Sequence, residues 1–185
     1  MEIRNIRIAQ FLIALLLILF GIVFRLSPHP ANVAPIAAIA LFSGVYLTGK
    51  WKIFIPIVAM LVSDFFIGFY EWPILLTVYG CFAATIAIGA LVKRNKNTGS
   101  VIAGSLSASI LFFLATNAAV WMVHSETYAP DLSGLLASYT LAIPFFRNTM
   151  LGDLFFTGAL FGAYEVVFYA VKQRKFLDFW LMRRL

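Results

Sequence analysis

Six long apolar stretches, separated by short breaks, are the feature that most restricts how this sequence can fold. A helix that crosses a bilayer needs about 20 mostly apolar residues. The chain is 62% hydrophobic and only 12% charged, whereas about a quarter of the residues of a soluble domain are charged. The pattern predicts an all-α integral membrane protein, a bundle of six transmembrane helices forming a single domain over residues 1–185. The helices are expected at about 8–25, 33–49, 51–70, 73–92, 100–123 and 148–171.

The longest connection, 124–147, begins with the polar stretch "HSETYAPDLSG" and ends with the apolar stretch "LLASYTLAIPFF". The apolar part is too short to span a bilayer. We therefore expect a re-entrant or interfacial helix there, within an outer, lid-like loop that closes over something.

The positions of Lys and Arg predict the orientation of the helices. If the six spans alternate, twelve of the fourteen basic residues fall on one side, with both termini, and two fall on the other. Basic residues accumulate on the cytoplasmic side of membrane proteins, so both termini are expected in the cytoplasm. The net charge of +6 is then explained by orientation, and no nucleic-acid partner is expected.

Small residues spaced four apart predict close contacts between helices in lipid. The sequence contains three such pairs, which we interpret as packing positions: Ala83 and Ala87, Gly104 and Ala108, and Gly158 and Gly162.

Several polar residues are expected at the outer ends of the helices. Arg25 and Arg147 are the two basic residues on that side, and His29 lies near Arg25 in "RLSPHP". Asp64 and Asp153 fall within predicted membrane helices, where ionisable side chains are costly and usually functional.

The lone cysteine, Cys81, lies at a depth similar to that of Asp64. Each is eight or nine residues from the turn near Glu71, or roughly 10–13 Å at 1.5 Å per residue. Asp153 is expected to be a little shallower. These depths predict a pocket that is open to the outside, with its floor near Cys81.

Each of these residues also has a purely structural interpretation. Asp64 could pair with an arginine, and Arg147 could pair with Asp153. Cys81 could be a small buried hydrophobe, and Tyr79 could belong to an interfacial aromatic belt. His29 could be a solvated loop residue.

Motifs of several enzyme classes are absent from the sequence: it contains no G-x-S-x-G, H-E-x-x-H, C-x-x-C or P-loop. Two histidines and one cysteine cannot complete a structural zinc site. One cysteine and one histidine could still hold a metal that arrives already bound in a cofactor.

Four stretches together carry a resemblance: "RLSPHPANVAPIAAIALFSG", "LVSDFFIGFY", "TVYGCF" and "PFFRNTMLGDLFFTGALFG". They resemble small six-helix bacterial membrane proteins related to the substrate-binding S-components of energy-coupling-factor (ECF) vitamin transporters. Within that group, the cysteine after V-Y-G resembles that of solitary cobalamin (vitamin B12) transporters of the BtuM type.

The resemblance implies that cobalamin is the transported ligand and that the protein lies in the bacterial cytoplasmic membrane. Cys81 would ligate the cobalt, and it would be the catalytic residue if cyanide is removed from cyanocobalamin. No other cofactor is implied. His29, Asp64 and Arg147 match polar positions that line the site, and Arg25, Tyr79 and Asp153 are further candidates for substrate binding.

Helix 1 departs from the S-component pattern. It lacks the A-x-x-x-A face that docks on an energising subunit, so no dedicated ECF module is expected and the lipid bilayer is the only other expected partner. The energy source stays open.

Two other functions stay open. The same fold could carry another vitamin or precursor with the help of an ATPase module, with Cys81 serving only for packing. The protein could instead be an intramembrane enzyme with Cys81 as nucleophile, although a cysteine in apolar surroundings is a poor one.

Overall fold

The computed structural model describes residues 2–182, with side chains described within residues 11–173. The regular structure of residues 2–182 is entirely helical. It consists of α1 (Glu2–Leu26), α2 (Ile36–Tyr46), α3 (Trp51–Ile67), α4 (Trp72–Val92), a 3₁₀ turn (Lys93–Asn95), α5 (Thr98–Val123) and α6 (Leu132–Met182).

The helices have the properties of a membrane protein. Within the described part of the chain, three apolar segments are long enough to cross a bilayer: Trp72–Asn95, Thr98–Val123 and Leu132–Gln173. Many large hydrophobic side chains, including Phe65, Trp72 and Val166, face outward and are mostly exposed, as expected where lipid replaces water. The predicted all-α membrane fold is confirmed at this level, and the count of six spans stays a prediction.

α2 is the central helix of the bundle and is shorter than the predicted 33–49. It has 11 residues, or about 16 Å of helix at 1.5 Å per residue. Pro35 precedes its first residue, and the chain is extended at Leu47. The helix has no polar face, and nearly all of its residues are buried. It packs on α3, α4, α5 and α6.

Two glycines allow α2 and α4 to pack backbone to backbone. A Cβ atom on Gly44 would collide with the carbonyl oxygen of Ile86, and one on Gly89 would collide with that of Leu41. The close approach of these helices therefore depends on the absence of a side chain at both positions.

α6 begins much earlier than the predicted 148, because Asp131 caps it. The Asp131 carboxylate accepts a hydrogen bond from the Gly134 amide at 2.9 Å, which satisfies one of the free N–H groups at the helix start. The 51-residue helix continues through Pro144. The lid-like loop expected over 124–147 is thus reduced to 124–131, and its apolar part is the first portion of α6.

The small-residue pairs differ in their surroundings. Gly104 and Ala108 are buried, as predicted for packing positions. The other two pairs are exposed: Ala83 and Ala87 on α4, and Gly158 and Gly162 on α6. A Cβ atom on either α6 glycine would meet nothing within 4 Å. The packing prediction is therefore wrong for these two pairs within the single chain.

A polar cluster joins the helices at the end opposite the start of α4. Lys96 Nζ lies 2.5 Å from Glu165 Oε1, and the Tyr46 hydroxyl donates to the same oxygen at 2.7 Å. The hydrogen bond that Lys96 donates to Glu165 raises the pKa of Lys96. Several basic residues counted for orientation lie outside the described side chains: Arg4, Arg7, Arg174, Lys175, Arg183 and Arg184.

Candidate functional site

A cavity of about 300 Å³ opens where α1 and α3 end and α4 begins. Polar side chains come from α1, from the loop that follows it, and from α6, whereas the remainder of the wall is mainly apolar. The lining residues are Arg25, His29, Asn32, Ala34, Ile36, Ala37, Met60, Ile67, Tyr70, Val78, Phe82, Phe112, Thr149 and Asp153.

An ion pair borders the cavity: Arg25 lines the cavity wall, whereas Asp64 and Tyr79 are not among the lining residues. Arg25, in the last turn of α1, places Nη1 2.7 Å from Asp64 Oδ1 on α3, and the two side chains are only 9% and 1% exposed. The same nitrogen donates to Ser63 Oγ at 2.5 Å. The Tyr79 hydroxyl of α4 donates to the other Asp64 oxygen at 2.8 Å. Arg25, Asp64 and Tyr79 thus form one network across three helices, and Asp64 takes the arginine-paired arrangement.

His29 lies at the mouth of the cavity, in the loop between α1 and α2. It is half-buried, its Nδ1 lies 2.7 Å from the Ser27 carbonyl oxygen, and its ring centroid is 5.4 Å from that of Phe24. α6 holds this loop in place, because Asn148 Nδ2 donates to the Ala31 carbonyl at 3.1 Å.

Asp153 lines the cavity from α6 and is only 5% exposed. It accepts a hydrogen bond from the Ser109 hydroxyl of α5 at 2.7 Å. Arg147 is exposed and does not line the cavity. Among the side chains of residues 11–173, no ion pair joins Arg147 to Asp153, so the structure does not bring these two predicted residues together.

Cys81 is buried but does not line the cavity. Val78 and Phe82, its neighbours on α4, do line it. At 3.6 residues per turn, Cys81 is rotated about 60° from Val78 and about 100° from Phe82 around the helix axis. The cavity floor is thus formed by other α4 residues at that depth. Within the described part of the chain, no group of three or more His, Cys, Asp or Glu side chains could hold a metal ion.

The loop 124–131 lies beside the turn between α3 and α4. His124 Nδ1 lies 3.1 Å from Glu126 Oε1, and His124 Nε2 lies 4.0 Å from Glu71 Oε1. A backbone amide and His124 hold the pKa of Glu126 below its usual range. The Trp121 indole donates to the Ala129 carbonyl at 2.9 Å, which ties the loop to the end of α5.

Sequence reasoning missed several residues of the site. Asn32 and Thr149 line the cavity, and both belong to stretches quoted for the resemblance, P-H-P-x-N and P-F-F-R-N-T. Ser109 carries no comparable signal, because a serine within an apolar helix has no pattern that distinguishes a carboxylate partner from a residue bonded to its own helix.

Comparison with known proteins places the chain in a family. The model of a family of unknown function, DUF6580, matches residues 5–177. The chain belongs to this family. The match covers all six helices apart from the start of α1 and the end of α6. No curated protein and no solved structure matches the chain.

Proposed function

We propose that this protein binds cobalamin in the cavity and carries it across the bacterial cytoplasmic membrane. In this proposal it is a solitary, S-component-like carrier with six spans and both termini in the cytoplasm. The observation that carries the proposal is a cavity at one end of an apolar helix bundle, with Arg25, His29 and Asp153 in its wall. Binding sites of this kind are mainly apolar, with a few polar groups that fix the orientation of the ligand.

Cobalamin could bind in this cavity only if the surrounding segments moved apart. Its volume of about 300 Å³ is at the lower end of the range for drug-sized ligands, and cobalamin is larger than such ligands. Two segments are candidates for this movement: the loop 27–35, which lines the cavity, and the loop 124–131, which lies beside the turn between α3 and α4. Their opening would admit the ligand, and a shift of α4 would turn Cys81 towards the cobalt. A thiolate is a soft ligand well suited to a transition metal, and as a strong donor opposite cyanide it would labilise the cyanide.

A second candidate is an S-component-like carrier for a smaller vitamin or precursor. Two observations favour it: the modest volume of the cavity, and the position of Cys81 away from its lining. In that case Cys81 serves only to fill space between helices, and an ATPase module would supply the energy.

A spectral titration separates the two candidates. Purified protein is mixed with cyanocobalamin, and the visible spectrum and co-elution on gel filtration are recorded for wild type, Cys81→Ser and Cys81→Ala. Ligation by Cys81 predicts a changed spectrum in wild type that reverts towards the free ligand in both variants, together with loss of cyanide release. Wild type that neither co-elutes with cyanocobalamin nor changes its spectrum would refute the cobalamin proposal and direct the search to smaller vitamins.

A further inference from the structure

Among the side chains of residues 11–173, Asp153 is the one acidic group in the lining of the cavity. It is 5% exposed and lies within the membrane-length segment Leu132–Gln173 of α6. Its hydrogen-bond partner Ser109 comes from α5, a helix that contains no Asp, Glu, Lys, Arg or His from Thr98 to Val123. The carboxyl group is therefore surrounded by neutral groups on that side.

The charged groups on the other sides are already engaged. Arg25 lines the same cavity, but it pairs with Asp64 at 2.7 Å. His29 Nδ1 contacts the Ser27 carbonyl, and Tyr70 contributes a phenol. α2, which also packs on α6, has no charged residue. No cation lies within ion-pair distance of Asp153 among the side chains of residues 11–173.

A carboxylate without a countercharge costs several kcal/mol inside a membrane, and such residues commonly act as proton relays. A neutral carboxylic acid avoids most of that cost, and the Ser109 hydroxyl can donate to the acid as well as to the carboxylate. The cavity gives water access to the carboxyl group. Asp153 is thus placed where a proton can bind and leave without rearrangement of the helices.

We propose that Asp153 is a proton-binding site in the cavity wall and that its protonation is coupled to solute transport. The proton comes from water in the cavity and forms an O–H bond at Oδ1, while Oδ2 keeps the Ser109 hydrogen bond. Release to water reverses the step, so the carboxyl group carries one proton and no net charge in its loaded state. The coupling rests on the proposed transport function, whereas proton binding by Asp153 does not.

Infrared difference spectroscopy tests proton binding without any solute. Purified protein is titrated between about pH 5 and pH 9, the range in which buried carboxyl groups can titrate, and the C=O band of protonated carboxylic acid is followed. As the pH is lowered, the band should grow reversibly in wild type. It should do the same in Asp131→Asn, a matched variant of an exposed loop carboxylate, and be absent in Asp153→Asn. A band that is unchanged in Asp153→Asn, or absent in wild type, would overturn the proposal.

Ser109→Ala provides a second test that does not depend on the folding of Asp153→Asn. The Ser109 hydrogen bond is stronger to the carboxylate than to the neutral acid, so its removal favours the acid and the pH midpoint of the band should rise. An unchanged midpoint would contradict the assignment of the band to Asp153.

Uptake of cyanocobalamin into proteoliposomes tests the coupling between protonation of Asp153 and transport. Wild type should accumulate the probe in response to a pH gradient at constant sodium, and Asp153→Asn should lose that response. Accumulation that follows a sodium gradient at constant pH would overturn proton coupling. Failure of cyanocobalamin to bind at all would refute the proposed ligand, while the infrared titration would still decide whether Asp153 binds a proton.

Discussion

Arg25 and Asp64 form a buried pair whose energetic role depends on both partners being present. Each charge loses its hydration, and the attraction between the charges, together with the hydrogen bonds to Ser63 and Tyr79, compensates for that loss. Removal of one partner leaves the other uncompensated. The pair therefore fixes how α1, α3 and α4 meet at the cavity rather than adding a large net stability.

Arg25→Met is expected to lower the free energy of unfolding by about 3–5 kcal/mol, the usual effect of breaking a buried ion pair from one side. The double variant Arg25→Met/Asp64→Leu should recover part of that loss, because no buried charge remains. Thermal unfolding of the purified protein in detergent measures the stability loss in the single and the double variant. Arg147→Met, a change at an exposed arginine, is the control, and an equal loss in this control would show that the ion pair has no special role.

Asp131 connects a single side chain to the start of α6. The Ser133 hydroxyl and the Gly134 amide hold the pKa of Asp131 below its usual range, so its stabilising effect is complete above the unfolded-state pKa of about 3.9. That effect is lost as the pH falls through the lowered folded-state pKa. At neutral pH, the amide hydrogens of residues 133–136 should exchange several times faster in Asp131→Ala than in wild type. In Asp131→Asn the rate should lie between the two, because the side-chain oxygen still caps the helix but carries no charge.

Acidification provides the check on that prediction. The difference between wild type and Asp131→Ala should shrink once Asp131 is protonated. A difference that stays constant down to low pH would mean that the charge of the carboxylate does not contribute to the cap.

For single residues, the sequence predicted that Arg25, His29 and Asp153 lie near one end of the bundle, but the only partner that it offered correctly was an arginine for Asp64. Arg25, His29 and Asp153 do line one cavity, because helix depth follows from counting residues between turns. The rotation of a helix about its axis does not follow from depth. Cys81 therefore has the depth of the cavity floor but lies on a different face of α4.

Among the helices, the contact between α2 and α4 is the most sensitive to side-chain size. A methyl group at Gly44 has no room beside the Ile86 carbonyl, so the helices would have to separate. We expect Gly44→Ala to destabilise the protein by about 1–3 kcal/mol, the usual cost of overpacking. Gly158→Ala is the matched control, since a Cβ atom there meets open space.

In the control, a change from glycine to alanine within a helix should be neutral or stabilising by up to about 1 kcal/mol. Thermal unfolding of both variants under identical detergent conditions gives the comparison. Equal destabilisation by Gly44→Ala and Gly158→Ala would contradict the close packing of α2 on α4.

The lengths of α2 and α6 show where a pattern of apolar residues misleads. The apolar run 33–49 predicted one spanning helix, yet Pro35 delays the start of α2 and the chain is extended at Leu47. The polar break before 148 predicted a separate helix 6, yet Arg147 and Asn148 lie within α6. Apolarity reports where a segment is buried or faces lipid, whereas caps and prolines decide where a helix begins and ends.

For the whole molecule, the distribution of basic residues predicts that positions 97 and 128 lie on opposite sides of the membrane. The test uses single cysteines at these positions in a Cys81→Ser background, treated with a membrane-impermeant thiol reagent in intact cells and in inverted vesicles. Position 128 should react in intact cells and position 97 in inverted vesicles. Reaction of both from the same side would refute the six-span orientation.

The central claim is that the cavity is the place where the transported solute binds, and a cavity-filling variant tests it most directly. Ala37 lines the cavity, so Ala37→Phe should occupy it, whereas Ala159→Phe adds the same ring on an exposed face of α6. Equilibrium dialysis of labelled cyanocobalamin against wild type and both variants should show binding to wild type and to Ala159→Phe, with at least a tenfold loss, or about 1.4 kcal/mol, for Ala37→Phe. Equal binding by Ala37→Phe and Ala159→Phe would contradict the account.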